Sequence, residues 1–391
     1  MTTWTPIFAL QVLLCLVLGA SAAWADDDDE VDPLALAARL LDGGHPARAA
    51  SVLADVDDTV PDDELDKARL YTLRGVVALQ LQDNQGALDN LEKALRAGAE
   101  DVVLHRYAAY AAFALGNCKK TLGHIKRAQD HAWNRVETIA IRSECLRRQQ
   151  LPGRALNVLR RGQRRFVNDT RLLEREVAVL VEHQLFQEAF DGAARLVLHP
   201  QPHVDDPVEN KLGLVGAFLR AGAAKAGVEL AEMVHLQHFD DVRTVEVLGH
   251  AYAQANRPLA GAQLFAGLSF QDASHTSAAV ELYRRAGRPQ AASWLLPRIA
   301  DRKERLRQRL GLLLEEKRYE EAAALAPKLK QTGLLDDDQL LYALAFAEFS
   351  AGRHDAAERH ARAVKDPAVF RQATDLMQAI GRCKREASTC L

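Results

Sequence analysis

Residues 82–87, Gln82-Asp83-Asn84-Gln85-Gly86-Ala87, decide how the chain is read, because stretches of the same kind return at 116–121, 150–155 and 184–189. The last residue of each is small: Ala87, Thr121, Ala155 and Ala189, spaced 34 apart every time. Five positions upstream of each sit Gln82, Gly116, Gln150 and Gln184. A small residue at the start of a second helix lets two helix axes approach closely, and the residue five places earlier falls in the turn between them. Upstream again, Tyr71, Gly75 and Ala78 follow helical rather than strand spacing. The pattern predicts a repeating helix–turn–helix unit.

Working outward at that period gives units starting near residues 30, 68, 102, 136, 170, 208, 242, 273, 303 and 338. Two departures are expected. His199-Pro200-Gln201-Pro202-His203 interrupts the helical pattern and widens the spacing, which places a flexible or kinked junction at 197–207. From Ala273 the units shorten to about 30 residues, fewer than a two-helix unit of the common 34-residue length. The composition agrees with helices packed through small side chains: of 391 residues 48% are hydrophobic and 26% charged, but only 6% aromatic.

The chain resembles the tetratricopeptide-repeat family, which places Gly or Ala eighth, Tyr eleventh, Ala twentieth and an apolar residue twenty-fourth. The clearest copy is Leu248-Gly249, Tyr252, Gly261 and Phe265; another is Leu344-Ala345, Gly352, Ala357 and Ala361. The resemblance implies an all-α fold, an α-solenoid of about ten such units wound as a right-handed superhelix. It divides the chain into a first array over 26–199, a junction at 200–207, a second array over 208–371 and a capping segment over 372–391.

In that family the second, fifth, ninth and twelfth positions of a unit line a concave groove. The resemblance therefore implies a partner-binding groove of Arg106, Tyr110, Phe113, Glu144, Arg147, Tyr342, Phe346 and Phe349. Aromatic rings beside arginines offer contact area and fixed hydrogen-bond forks to a protein or peptide. The alternative is that the same rings fill gaps between helices, since a shift of one residue turns groove into core. The family's carboxylate clamp of Lys and Asn is not matched, since those places hold Thr72 and Val76, Arg106 and Tyr110, and Ala140 and Glu144.

Charge is distributed unevenly. Residues 26–101 hold 19 acidic and 7 basic side chains, whereas 102–165 hold 3 acidic and 14 basic. Arg148, Arg160, Arg161, Arg164 and Arg165 form a basic patch suited to an anionic polysaccharide or an acidic protein; the bland reading is a solvated face. Opposite blocks also allow self-association, copies meeting head to tail, or folding of the run Asp26 to Glu30 back onto the patch within one molecule.

The first 25 residues contain no Asp, Glu, Lys or Arg, run apolar from Ile7 to Leu18 and end in Ala23-Trp24-Ala25. This reads as a signal peptide cleaved after Ala25, with an uncleaved anchor as the alternative, and predicts a periplasmic or secreted protein without a transmembrane segment once cleaved. Nucleic acid is therefore not an expected partner. Cleavage would leave Cys118, Cys145, Cys383 and Cys390, which permit three pairings in an oxidising compartment. The repeat register favours Cys118–Cys145, at the same end of neighbouring antiparallel helices, and leaves Cys383–Cys390.

No phosphate-binding loop, dinucleotide fingerprint or nucleophile elbow is present, and the sequence predicts no catalytic residue, metal or cofactor. His235 with His238, and His199 with His203, lack accompanying ligands. Asn168-Asp169-Thr170 fits a glycosylation sequon, a short and common signal. The expected function is a non-enzymatic scaffold in an export, pilus or cell-wall assembly. The alternatives are a self-assembling structural protein and an accessory part of a cell-wall enzyme.

Overall fold

The computed structural model describes residues 32–61, 65–199 and 207–385. Every regular element among them is helical. The leader region, residues 200–206 and Cys390 lie outside the described residues.

The helices pair as the repeat requires. The first four pairs are α1 (Pro33–Asp42) with α2 (Pro46–Ala54), α3 (Lys67–Gln80) with α4 (Asn84–Arg96), α5 (Val102–Ala114) with α6 (Cys118–Arg127), and α7 (Val136–Arg148) with α8 (Pro152–Arg165); α9 (Arg171–Glu182) and α10 (Phe186–Leu198) come next in the chain. There follow α11 (Pro207–Arg220) with α12 (Ala224–Gln237), α13 (Val242–Gln254) with α14 (Pro258–Leu268), and α15 (Thr276–Arg285) with α16 (Pro289–Leu295). In the ninth, α17 (Arg302–Glu315) faces a second helix broken into α18 (Tyr319–Ala323) and α19 (Ala326–Gln331), and the tenth joins α20 (Asp338–Ser350) to α21 (His354–Ala363). A last helix, α22 (Pro367–Arg385), packs on α20 and α21. Among the described residues the chain is thus all-α, with ten helix–turn–helix units of tetratricopeptide-like form whose starts lie close to those read from the sequence.

The turn inside each unit has one fixed feature. Its central residue takes a left-handed backbone at Gly44, Gln82, Gly116, Gln150, Gln184, Gly222, Asn256, Gly287, Lys317 and Gly352, with φ between 58° and 81°. A single αL residue after a helix lets its last carbonyls be satisfied while the chain reverses. Helix starts are equally regular: Asp32, Asp66, Asp101, Asp241, Asp301 and Asp337 cap first helices through their side chains. Several second helices instead open on proline, at Pro46, Pro152, Pro258 and Pro289. Pro327 explains the break between α18 and α19, because it supplies no amide hydrogen to the preceding turn.

The core is built by neighbours. Ala87, Leu88, Leu91 and Ala94 of α4 pack with Ala78 of α3 and Leu104, Ala108, Ala111 and Ala112 of α5. The four residues that set the 34-residue period, Ala87, Thr121, Ala155 and Ala189, are fully buried. Glycine is required where α13 meets α14: a Cβ on Gly261 would lie 2.7 Å from the Gly249 carbonyl oxygen.

Two compact units divide between Val179 and Leu180, within α9. Most of the junction read at 197–207 lies outside the described residues.

Candidate functional site

In the first unit, α5 and α7 are the first helices of adjacent repeats and carry most of the expected groove. The Arg147 guanidinium donates from Nε and Nη2 to Glu144, at 2.8 and 2.9 Å, and Arg148 Nε donates to Glu144 Oε1 at 2.8 Å. Burial works to raise the Glu144 carboxyl, but the bonds from Arg147 and Arg148 outweigh it and hold the group below its ordinary value. The Arg148 guanidinium also lies over Phe113, 5.2 Å from the ring centroid. Nearby on α9, burial pulls the Arg175 guanidinium down while Glu144 works to raise it.

The neighbouring aromatic sits deeper. Tyr110 is packed with Phe113 against Ala109, Ile125, Ala128, Ala132 and Ile141, and its hydroxyl lies 2.8 Å from the buried Thr138 hydroxyl. Burial pushes its phenol up. Arg106 rests 5.3 Å over Tyr107 and has no carboxylate partner among the described residues.

In the second unit, α20 carries the other three groove residues. Tyr342 and Phe349 pack on Ala345, Ala357, Ala361, Leu376 and Ile380. Phe346 is turned outward, 37% exposed and edge-on to Tyr319 at 6.0 Å. On this helix two of the three rings fill interhelical space and one remains on the surface.

The basic residues of α8 separate into two sets, because their spacing points them to opposite neighbours. Arg160 Nε donates at 2.6 Å to the buried Glu176 of α9, which also accepts from Gln163 at 2.7 Å. Arg161 and Arg165 face the 3-10 turn at Gln129–Trp133: Arg161 lies 4.2 Å from the Trp133 centroid, and Arg165 donates to Asn134. Arg164 is exposed, with no ion pair among the described residues. Arg148 belongs to the α5–α7 face, and Arg142 of α7 joins the α8 set, 4.9 Å from Trp133. Sequence reasoning missed Trp133 and Arg142. The tryptophan falls in the short connection between two units, where no periodic position signals it.

Cys118, at the start of α6, is joined to Cys145, near the end of α7, with Cα atoms 5.1 Å apart and a sequence separation of 27. Cys383 is buried near the end of α22, and its expected partner Cys390 lies outside the described residues. Between α5 and α6, His105 Nδ1 lies 3.1 Å from His124 Nδ1. His124 Nε2 is 3.4 Å from Glu92 Oε1, and Lys120 Nζ is 2.8 Å from the same oxygen. Among the described residues no three His, Cys, Asp or Glu side chains are grouped to hold a metal ion, and no helix is long and apolar enough to cross a membrane.

No family model and no curated protein matches the chain. Among solved structures it is similar to YrrB, described as a TPR protein with an unusual peptide-binding site, at 14% identity and a TM-score of 0.31, over 57% of this chain and 95% of that one. It is similar to the APC/C hetero-tetramer Cut9–Hcn1 at 14% identity and a TM-score of 0.33, over 92% of this chain and 78% of that one. It is also similar to yeast Tom70 at 10% identity and a TM-score of 0.34, over 90% and 96% of the two chains.

Proposed function

We propose that the chain is a non-enzymatic protein-binding scaffold of the cell envelope, exported by its leader, which takes an extended peptide segment of a partner along the first helices of its first unit. The reading rests on the α5–α7 face, where Phe113, Arg148, Glu144 and Arg147 form one connected strip, with Arg106 two turns before Phe113 on α5. Such a strip presents an aromatic surface, donors whose positions are fixed by a shared carboxylate, and an unpaired guanidinium. A peptide with acidic and apolar side chains in alternation fits those groups. Export is supported by the uncharged apolar start of the sequence and by a disulfide, which persists in oxidising compartments.

The test is selection of peptides from a random display library on the purified protein, followed by titration. Arg106→Ala combined with Arg148→Ala should weaken the selected peptides about 10-fold or more, the effect of losing an interface anchor worth over 1 kcal/mol, with the helical signal unchanged. Selected peptides that bind the double variant as tightly as the parent would place the binding surface elsewhere. Tyr110 is unsuited to this test, because removing it leaves the buried Thr138 hydroxyl without its partner.

A further inference from the structure

Arg142 and Arg161 converge on one indole, their guanidinium carbons 4.9 and 4.2 Å from the Trp133 centroid. Arg142 is half-buried between the buried Ile141 and Ser143. Neither arginine has a hydrogen bond or a carboxylate partner among the described residues. The acids of the block are placed elsewhere: Glu137 is paired with Arg171 at 2.9 Å, and Glu144 with Arg147 and Arg148. Asp130 is exposed and makes no ion pair among the described residues.

This arrangement is electrostatically incomplete. Two like charges held beside one ring repel, and a half-buried guanidinium has given up part of its hydration without a counter-ion. Burial and the neighbouring Arg161 both pull the Arg142 guanidinium below its ordinary value. Contact with the indole fixes both side chains in place, so little rotamer freedom remains to be lost when an anion arrives. Arg164 and Arg165 extend the positive field along α8.

The matching anion is in the same sequence. Asp26-Asp27-Asp28-Asp29-Glu30 is a run of five carboxylates and opens the block that holds 19 acidic side chains against 7 basic ones. Reach decides which copy supplies it. From α1 to α7 the stack advances by three first-helix steps of about 10 Å each, about 30 Å in all. Six residues from Asp32 back to Asp26 span at most about 20 Å. Of the same copy's run only Asp26 comes within range, and Asp28 to Glu30, at most about 14 Å from Asp32, fall well short, whereas the whole run of a second copy is unconstrained.

We propose that the Arg142–Trp133–Arg161 face receives the acidic run Asp26–Glu30 of a second copy, joining copies head to tail. Such an interface pairs two different surfaces, so it can repeat from copy to copy. It uses a face separate from the peptide strip on α5 and α7, and neither reading depends on the other.

The experiment is sedimentation of the purified protein over a range of concentration and salt, with mass spectrometry confirming that Asp26–Glu30 is retained. The parent should associate at low salt and fall to monomer by 1 M, where the Debye length is about 3 Å. Arg142→Gln with Arg161→Gln should remain monomeric throughout. So should the neutral-run variant carrying Asp26→Asn, Asp27→Asn, Asp28→Asn, Asp29→Asn and Glu30→Gln. Mixing the two variants is diagnostic, since each keeps the half that the other lacks, and together they should form a one-to-one pair that grows no further. A parent that is monomeric at every concentration, a variant that associates like the parent, or a mixture that does not pair would each overturn the proposal. Circular dichroism checks that the variants keep their helices.

Discussion

At single positions the chain accepts strain where its repeat geometry demands it. Gln150, like Gln82 and Gln184, holds a left-handed backbone that a Cβ disfavours by about 1–2 kcal/mol. Gly116 holds the same conformation at the same place in its unit without that cost. Gln150→Gly is therefore expected to raise stability by roughly 0.5–1 kcal/mol in denaturant titration, the relief being partly offset by the freer unfolded chain. The His105–His124 pair sets a different residue-scale expectation. Burial, followed by each other's charge and by Arg127, lowers His105; burial also lowers His124, with Glu92 working against it. Both folded-state values lie below the ordinary imidazole value of about 6.5. On acidification the unfolded chain takes up protons first, so stability present above about pH 6.5 is lost as pH falls through the folded values. The denaturation midpoint should drop between pH 7.5 and 5.5, and His105→Gln should flatten that drop. An equal drop in the variant would exclude the pair as its source.

At the scale of helices, close approach rather than propensity decides which glycines matter. Gly261 and Gly267 lie on the same helix, α14. A methyl group at 261 meets a backbone carbonyl of α13 that cannot move aside, whereas one at 267 meets no atom within 4 Å. Gly261→Ala should destabilise by about 2 kcal/mol through overpacking. Gly267→Ala should be neutral or stabilise by up to about 1 kcal/mol. Equal unfolding midpoints for the two variants would contradict this account of how α13 and α14 fit. The helical elements were legible because what specifies them is local and recurs: a small residue at the contact, a turn residue five places before it, an acidic cap. The side-chain environment was less legible. Tyr110 occupies a position that family geometry assigns to a groove, yet its hydroxyl finds Thr138 on the next unit. Trp133 gathers two arginines from α7 and α8 although it lies outside the periodic positions. Both outcomes depend on contacts between units, which no single period of sequence contains.

For the molecule as a whole, helices touch mainly those next to them in sequence. Stability in such an array is close to a sum of unit and neighbour contributions, and the bridge between Cys118 and Cys145 adds a covalent tie between the neighbouring helices α6 and α7. Closing a loop of this length should contribute about 3.5 kcal/mol by restricting the unfolded chain, and reduction should lower the unfolding midpoint accordingly. The same bridge gives the protein a mechanical signature. Drawn out by its ends, an array of this kind lengthens as its helices peel away, but the 27-residue segment behind the bridge cannot pay out. At about 3.5 Å per residue, less the 5.1 Å between the bridged Cα atoms, the oxidised chain should stop roughly 90 Å short of the reduced one, and optical-trap extension with and without reductant measures that difference. Under tension the third and fourth repeats would thus stay tethered after their helices had come apart, ready to re-form together when the load is released.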